Sequence, residues 1–273
     1  MSTDITPLNR SDVLDGAAKF FRIMEKEGVD WSLFQLPISS KTVRRNLAEY
    51  LKLGCPRVKK EEDSVAPMVN VADYELARTI LGTDFISPEE ITQARGLNYS
   101  DEQIIMFGDT LPYEEVITWC RKHDAVLIAG PPSPLSLLQI RDLRPEYFYS
   151  KSSGWYAERN QRFSREQKVE TKWYVVRKGI VTNSTSRTWT EQLQLLSEVE
   201  YVPNDAELEW VLTTYKAVRN INLLSNVYAR TASVDSNGNP VIVGDFDARG
   251  LSVLSHWDDD RYGSLGVASA RKF

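Results

Sequence analysis

Five aspartates, Asp245, Asp247, Asp258, Asp259 and Asp260, gather toward the C-terminus with His256 among them. Carboxylates beside an imidazole are the ligand types that hold Mg²⁺, Ca²⁺ or a transition metal. A metal held there would serve a hydrolase or a nuclease. Asp245, Asp247, His256 and Asp258 are therefore the candidate metal ligands. Their spacings do not fit a calcium loop. Asp235-x-Asn237-x-Asn239 has Pro240 where such a loop needs Gly, and Asp247-Ala-Arg-Gly250 lacks the downstream bidentate Glu. Asp also has an ordinary place in short turns, because its carboxylate caps the turn backbone.

A second chemistry is suggested nearer the N-terminus. Between Lys41 and Lys60 stand seven Lys/Arg against one acid, Glu49, before Glu61-Glu62-Asp63 reverses the sign. Lys41, Arg44, Arg45 and Lys52 fall on a helix that resembles the second helix of a helix-turn-helix, which makes them candidate nucleic-acid contacts. The competing reading is a solvated basic face.

Nucleophilic catalysis is weakly supported. Cys120 and His123 are three apart, but Cys120 lies on the apolar side of its helix, and there is no G-x-S-x-G. Gly130-Pro131-Pro132-Ser133-Pro134 follows a buried strand, where open α/β sheets bind ligands. Two prolines there remove the backbone donors a phosphate cradle requires, so a rigid turn is the expected role. Aromatics and arginines interleave from Tyr147 to Phe163, with no alternation that would line the rings along one exposed strand. Core packing is the expectation for them.

The elements that position these groups are legible in outline. Ser11 to Glu27 and Lys41 to Leu53 have helical periodicity, and 56–71 has none, so a linker or exposed loop is expected there. Ser87, Ser100, Thr188 and Asn204 each precede Glu or Gln by three residues, the capping-box signature of a helix start. Ala125 to Ala129 is a short uninterrupted apolar run bounded by charge and by Gly-Pro-Pro, as expected of a strand buried on both faces. It sits between a helix carrying Tyr113, Val116, Ile117 and Cys120 and a looser helix carrying Pro134, Leu135, Leu138 and Leu143. Lys172 to Val181 is aromatic and β-branched, hence a strand. Asn204 opens a helix with Leu208, Val211, Leu212, Tyr215 and Val218 on one face.

Beyond Asn226, four short strands joined by Asp, Asn and Gly turns predict an antiparallel β-meander: Val227–Thr231, Pro240–Phe246, Leu251–Trp257 and Leu265–Ala270. In a meander, alternate turns fall at opposite ends of the sheet. Asp245 and Asp247 should then share one face and lie a strand's length from Asp258, ~17–20 Å, which argues against a shared metal.

Composition bounds the rest. The 273 residues, 42% of them hydrophobic, are enough for a sizeable core, and the net charge of −5 argues against a protein that coats nucleic acid. Cys55 and Cys120 stand in unlike contexts, as expected in a reducing compartment. The polar, acidic start and the lack of an apolar stretch of membrane-spanning length predict a soluble cytoplasmic protein, and no cofactor is implied.

Three passages, DTLPYEEVITWCRKHDAVLIAGPPSPLSLLQIRDL, NSTSRTWTEQLQLL and VYARTASVDSNGNPVIVGDFDARGLSVLSHWDDDRYGSLGVASARK, resemble a set of uncharacterised bacterial hypothetical proteins. The resemblance spans roughly residues 72–273. It implies a bacterial or phage origin and one continuous C-terminal unit, and it carries no activity. The expected fold is α+β: a helical N-terminal region over 1–60, then a main domain over 72–273. That domain would have a mixed core around one buried strand and an antiparallel C-terminal meander. The expected function is non-enzymatic binding of an unknown partner. The alternatives are a metal-dependent hydrolase or nuclease built on the C-terminal carboxylates and a nucleic-acid binder built on the N-terminal basic helix.

Overall fold

The computed structural model describes residues 71–273, part of a unit spanning 65–273. The expected helices over 1–60 lie outside the described residues. Within them the chain is α+β.

Local signals start the helices where the sequence places them. Helices α1 (Val71–Leu81), α2 (Pro88–Arg95), α3 (Asp101–Asp109) and α4 (Glu114–Lys122) come first, and β1 (Phe85–Ile86) lies between α1 and α2. Ser87 caps α2 and Ser100 caps α3, each through a reciprocal pair with Glu90 and Gln103 that satisfies otherwise orphaned amides. Pro88 at the first helical position of α2 loses nothing, because that amide has no intrahelical partner. In α4 the buried residues are Val116, Ile117 and Cys120, whereas Tyr113 is the N-cap and exposed.

Strand β2 (Ala125–Ala129) is buried at every residue. Helix α5 (Leu137–Leu143) follows, then α6 (Phe163–Glu166), β3 (Trp173–Arg177), α7 (Trp189–Leu193), β4 (Glu200–Tyr201) and the long helix α8 (Asp205–Arg219). Strands β5 (Tyr228–Val234), β6 (Pro240–Asp247), β7 (Gly250–Ser255), β8 (Leu265–Val267) and β9 (Ala270–Arg271) complete the chain.

These strands form two sheets. The first runs β1-β2-β3-β9-β4, parallel between β1 and β2 and antiparallel elsewhere. The second runs β7-β6-β5-β8. Gly130 is required where β2 ends, because a Cβ there would collide with the carbonyl oxygen of Glu170. In the first sheet, Glu200 of β4 accepts from Arg177 Nε of β3 (2.8 Å), from Ser269 Oγ (2.5 Å) and from Ser197 Oγ (2.7 Å). Burial works against its charge, but these donors outweigh it and hold the carboxyl down at about 2. The ionised Glu200 thereby ties β4 to β3 and to the residue beside β9.

The expected C-terminal antiparallel meander needs correction. Strands β5, β6 and β7 are successive antiparallel neighbours, but β8 pairs parallel to β5 on its far side. Strand β9 leaves that sheet to lie between β3 and β4. Alternation and turn residues predict strands and reversals, but they carry no information about which free edge a strand reaches. The Asp258–Arg261 segment is thus a crossing loop between sheet edges and not a hairpin turn. The expected shared face of Asp245 and Asp247 is also disrupted. Asp245 has φ +46° inside a bulge between Gly244 and Asp247, and its amide donates to Val227 O (3.0 Å).

Several outward groups of the sheet edges are occupied, a known defence against edge pairing. Arg219 covers Phe85 O of β1, and Trp155 Nε1 donates to Val253 O of β7 (2.7 Å). Ser184 Oγ accepts from the Val267 amide of β8 (3.2 Å).

Leu127 is fully buried in β2, so Leu127→Ala should cost ~2–5 kcal/mol from lost transfer energy and the cavity left behind. An unchanged urea midpoint would contradict this placement.

Candidate functional site

Strand register places the candidate metal ligands apart. Asp247 faces Gly250 at one end of the β6–β7 hairpin, while Ser255 faces Val241 at the other. His256 and Asp258 therefore lie beyond the end opposite Asp245 and Asp247, roughly 20 Å away along six residues of strand. Asp245, Asp247 and His256 each already have a local side-chain role. Asp247 accepts from the Arg249 amide (2.7 Å) and from Arg249 Nε (2.8 Å), and Asp245 accepts from Tyr228 Oη (3.3 Å). His256 Nδ1 meets Asp260 Oδ2 at 2.8 Å. Asp235 Oδ1 accepts from the amides of Asn237 and Asn239, folding its own turn. Among the described residues, no three His, Cys, Asp or Glu side chains converge as metal ligands would.

The remaining sequence candidates resolve similarly. Lys41, Arg44, Arg45 and Lys52 lie outside the described residues. Cys120 is fully buried, and burial pushes its thiol up to about 12, too high for a nucleophile near neutral pH. His123 turns instead to Arg177, with Nδ1 3.1 Å from Nη2, and stacks on Trp119. The carbonyls at the end of β2 are taken by side chains. Trp210 Nε1 donates to Ala129 O (2.9 Å), Tyr99 Oη to Gly130 O (2.6 Å) and Gln103 Nε2 to Pro132 O (2.5 Å). The Gly-Pro-Pro turn is therefore clamped by neighbouring side chains. From the aromatic–arginine stretch, Tyr156 and Phe163 are buried and Trp155 packs against both rings.

Two constellations extend beyond the candidate residues, the first of them around His256 and Asp258. The first is the loop 256–264. Arg230 of β5 has no exposed surface and is surrounded by acceptors. Its Nη1 donates to Gln192 Oε1 (3.0 Å) and Arg187 O (3.3 Å), and its Nη2 to Trp257 O (2.9 Å) and Asp260 O (3.0 Å). Gln192, also fully buried, donates onward to Ser184 O and Leu265 O. The outer side of the loop is held by Trp189 N to Asp258 O (2.8 Å), Ser186 N to Tyr262 O (2.9 Å) and the Arg261–Glu191 ion pair (2.9 Å). The loop is pinned on both sides, yet Trp257 and Tyr262 point outward.

The second is a buried acidic pair on α8. Every residue from Asp205 to Tyr215 is buried, so α8 shows water no face along that span. It packs against α2, α5, β5 and β6. Asp205 and Glu209, one turn apart, are fully buried. Asp205 Oδ1 meets Ser233 Oγ at 2.7 Å, but among the described residues its Oδ2 has no partner, and neither do the two carboxyl oxygens of Glu209 or Arg141 Nη1. Among the described residues, Arg141 is the cation felt at Glu209, and its guanidinium is already bonded to Asp142 (2.7 Å). Burial pushes the Asp205 carboxyl up to about 7, outweighing hydrogen bonds from Ser233 and the backbone. Burial and the neighbouring Asp205 push Glu209 well above the usual carboxylate range, and Arg141 only partly opposes them. The pair therefore carries at least one proton near neutral pH. Gln167, which bonds Ser233, lines an open cleft of about 520 Å³ together with Asn160, Phe163 and Ser236 among others.

The one sequence signal for this pair is Trp210. On a helical wheel it falls opposite Leu208, Leu212 and Tyr215, so α8 has apolar contacts on two sides and its acids have no solvent face to occupy. No family model, no curated protein and no solved structure matches the chain.

Two measurements check this geometry. Calorimetric titration with Mg²⁺, Mn²⁺ and Ca²⁺ should give no specific heat. A micromolar site lost in Asp247→Asn would restore the metal reading. Separately, folded Asp205 keeps a proton that the unfolded chain releases near 3.8, so its stabilising contribution is complete below about 3.8 and is lost as pH rises through about 7. The loss is on the order of 4 kcal/mol. Glu209→Gln should flatten the decline of the urea midpoint over that window. An unaltered slope would mean the pair does not control it.

Proposed function

We propose that the chain is a non-enzymatic binding protein of a bacterium or phage and that it meets its partner through the loop 256–264. The observation that carries this reading is the contrast within that loop. Trp257 is 67% exposed and Tyr262 47% exposed, on a backbone held from behind by Arg230 at 0%. Large aromatic side chains dominate the energetics of binding surfaces, and a preformed loop loses less conformational freedom on association than a mobile one. A buried arginine serving loop carbonyls is a costly way to shape a loop, and it is intelligible if that shape is used.

The bacterial or phage origin rests on the resemblance of residues 72–273 to uncharacterised bacterial proteins. Cytoplasmic placement is supported by Cys120, a free buried thiol. No helix among the described residues is long and apolar enough to cross a membrane. The reading of β2 as the strand around which the core is organised is supported by its complete burial and by the Trp210 bond at its end.

The test compares the full chain with the Trp257→Ser, Tyr262→Ser double variant, both immobilised and exposed to extract of the source cell. The variant should keep its melting temperature to within a few degrees, because both side chains are exposed, and it should lose the proteins that the unmodified chain retains. Equal retention by both would displace the loop as the contact surface. No specific retention by either would remove the binding reading.

A further inference from the structure

The segment 160–168 lies over the β5–β6 hairpin and is attached to it and to α8 by uncharged side chains. Gln161 Nε2 donates to Ser236 Oγ (3.1 Å) and its Oε1 accepts from the Ser236 amide (3.0 Å). Asn160 Nδ2 reaches the same hydroxyl (3.2 Å), and Asn204 Nδ2 donates to Lys168 O (3.2 Å). Deeper in, Ser233 Oγ bonds Gln167 Oε1 and Asp205 Oδ1, and it accepts from the Asp205 amide (2.9 Å). A serine hydroxyl has one proton to donate and two lone pairs. Here it faces two oxygens, a carboxyl and an amide carbonyl. Both bonds form together when Asp205 is the donor to Ser233 and Ser233 is the donor to Gln167. The arrangement therefore calls for a proton on Asp205.

We propose that the Asp205–Glu209 pair is a proton-loaded latch. Loaded, it joins Ser233 to Gln167 and keeps residues 160–168 closed over the hairpin. Unloaded, it releases that seam and opens the adjoining cleft. The surroundings of α8 leave few other responses to a negative charge. From α5 comes Arg141, bonded to Asp142, and beside it Tyr156, whose phenol is raised above its usual range by burial and by Glu209. Arg95 of α2 sits farther along, over the Trp210 ring and bonded to Thr213 and Thr214. Arg165 of α6 is spent on the carbonyls of Ala157, Glu158 and Gln161, and Glu166 on Arg162. Arg230 of β5 serves the loop 256–264, and the acids of β6, Asp245 and Asp247, are held near Arg249. Glu207 is occupied in capping α8 at Asn204, with Lys172 and Glu170 the charged groups felt there. Among the described residues, no cation is positioned to neutralise a second charge on the pair. Water must then reach it, and the cover directly bonded to Asp205 is this seam of neutral bonds.

Hydrogen exchange of backbone amides in the full chain, at about pH 6 and about pH 8.5 and corrected for intrinsic rates, tests the latch. Amides in 161–168 and 234–239 should exchange roughly tenfold faster at the higher pH, while those of β2 keep their protection. Asp205→Asn and Glu209→Gln should remove the pH response. If either variant fails to fold, Ser233→Ala should give fast exchange of the seam at both pH values. The latch is overturned if the unmodified seam is equally protected at both pH values, as a turned Gln167 amide serving a charged Asp205 would produce. It is overturned equally if β2 opens together with the seam, or if Ser233→Ala keeps the response.

Discussion

A helix with no face left for water sets the terms for the rest of this fold. Between Asp205 and Tyr215, α8 is enclosed by α2, α5 and the β5–β6 strands, so each of its polar side chains needs a partner inside the protein. Thr213 and Thr214 find Arg95, and Trp210 finds the last carbonyl of β2. Asp205 finds Ser233 with one oxygen, and Glu209 finds no hydrogen-bond partner among the described residues. The Trp210 bond gives α8 a direct tie to the first sheet, while contacts with β5 and β6 give it a tie to the second. The two sheets are held in one unit partly through this helix, and the chemically unusual pair sits on the same element. Rigidity and chemical stress are thus concentrated in the same place.

Much of this was legible because it is local. The reciprocal pairs Ser87–Glu90, Ser100–Gln103, Thr188–Glu191 and Asn204–Glu207 involve residues three apart, and they start helices wherever they occur. The apolar run at Ala125 needed no partner to declare itself a strand. Less was legible where long-range packing decides. In α5 the buried positions are Leu137, Ile140 and Arg141, a different face from the expected Leu135, Leu138 and Leu143, because that helix begins three residues beyond Pro134. The destination of β8 and β9 is set by which edges are open, a property of the assembled sheets.

The sites were harder to read than the fold for a related reason. Acids in turns draw attention because they cluster in sequence, yet Asp235 and Asp247 serve their own backbone. Arg230 and Glu209, by contrast, look ordinary in sequence: one lies in a strand between Ala229 and Thr231, the other in a helix rich in charge. Their interest comes from burial, which multiplies the cost of every unpaired charge and which a single strand or helix cannot announce. Trp210 was the available hint, an apolar residue on the side of α8 that its Leu stripe would leave to solvent.

The position of β9 bears on how the polypeptide can be made. In the strand ladder, β4 meets β3 through Ala270 and Arg271 of β9, residues separated from β3 by the whole second sheet in chain order. During synthesis from the N-terminus, β1, β2 and β3 emerge early, but the strand that bridges them to β4 emerges after β4 itself and after the whole second sheet. A ribosome paused in the β6–β7 region would present a nascent chain whose first sheet still lacks its bridge and whose Glu200 still lacks Ser269. Completion of the first sheet therefore waits until residue 271 has been made.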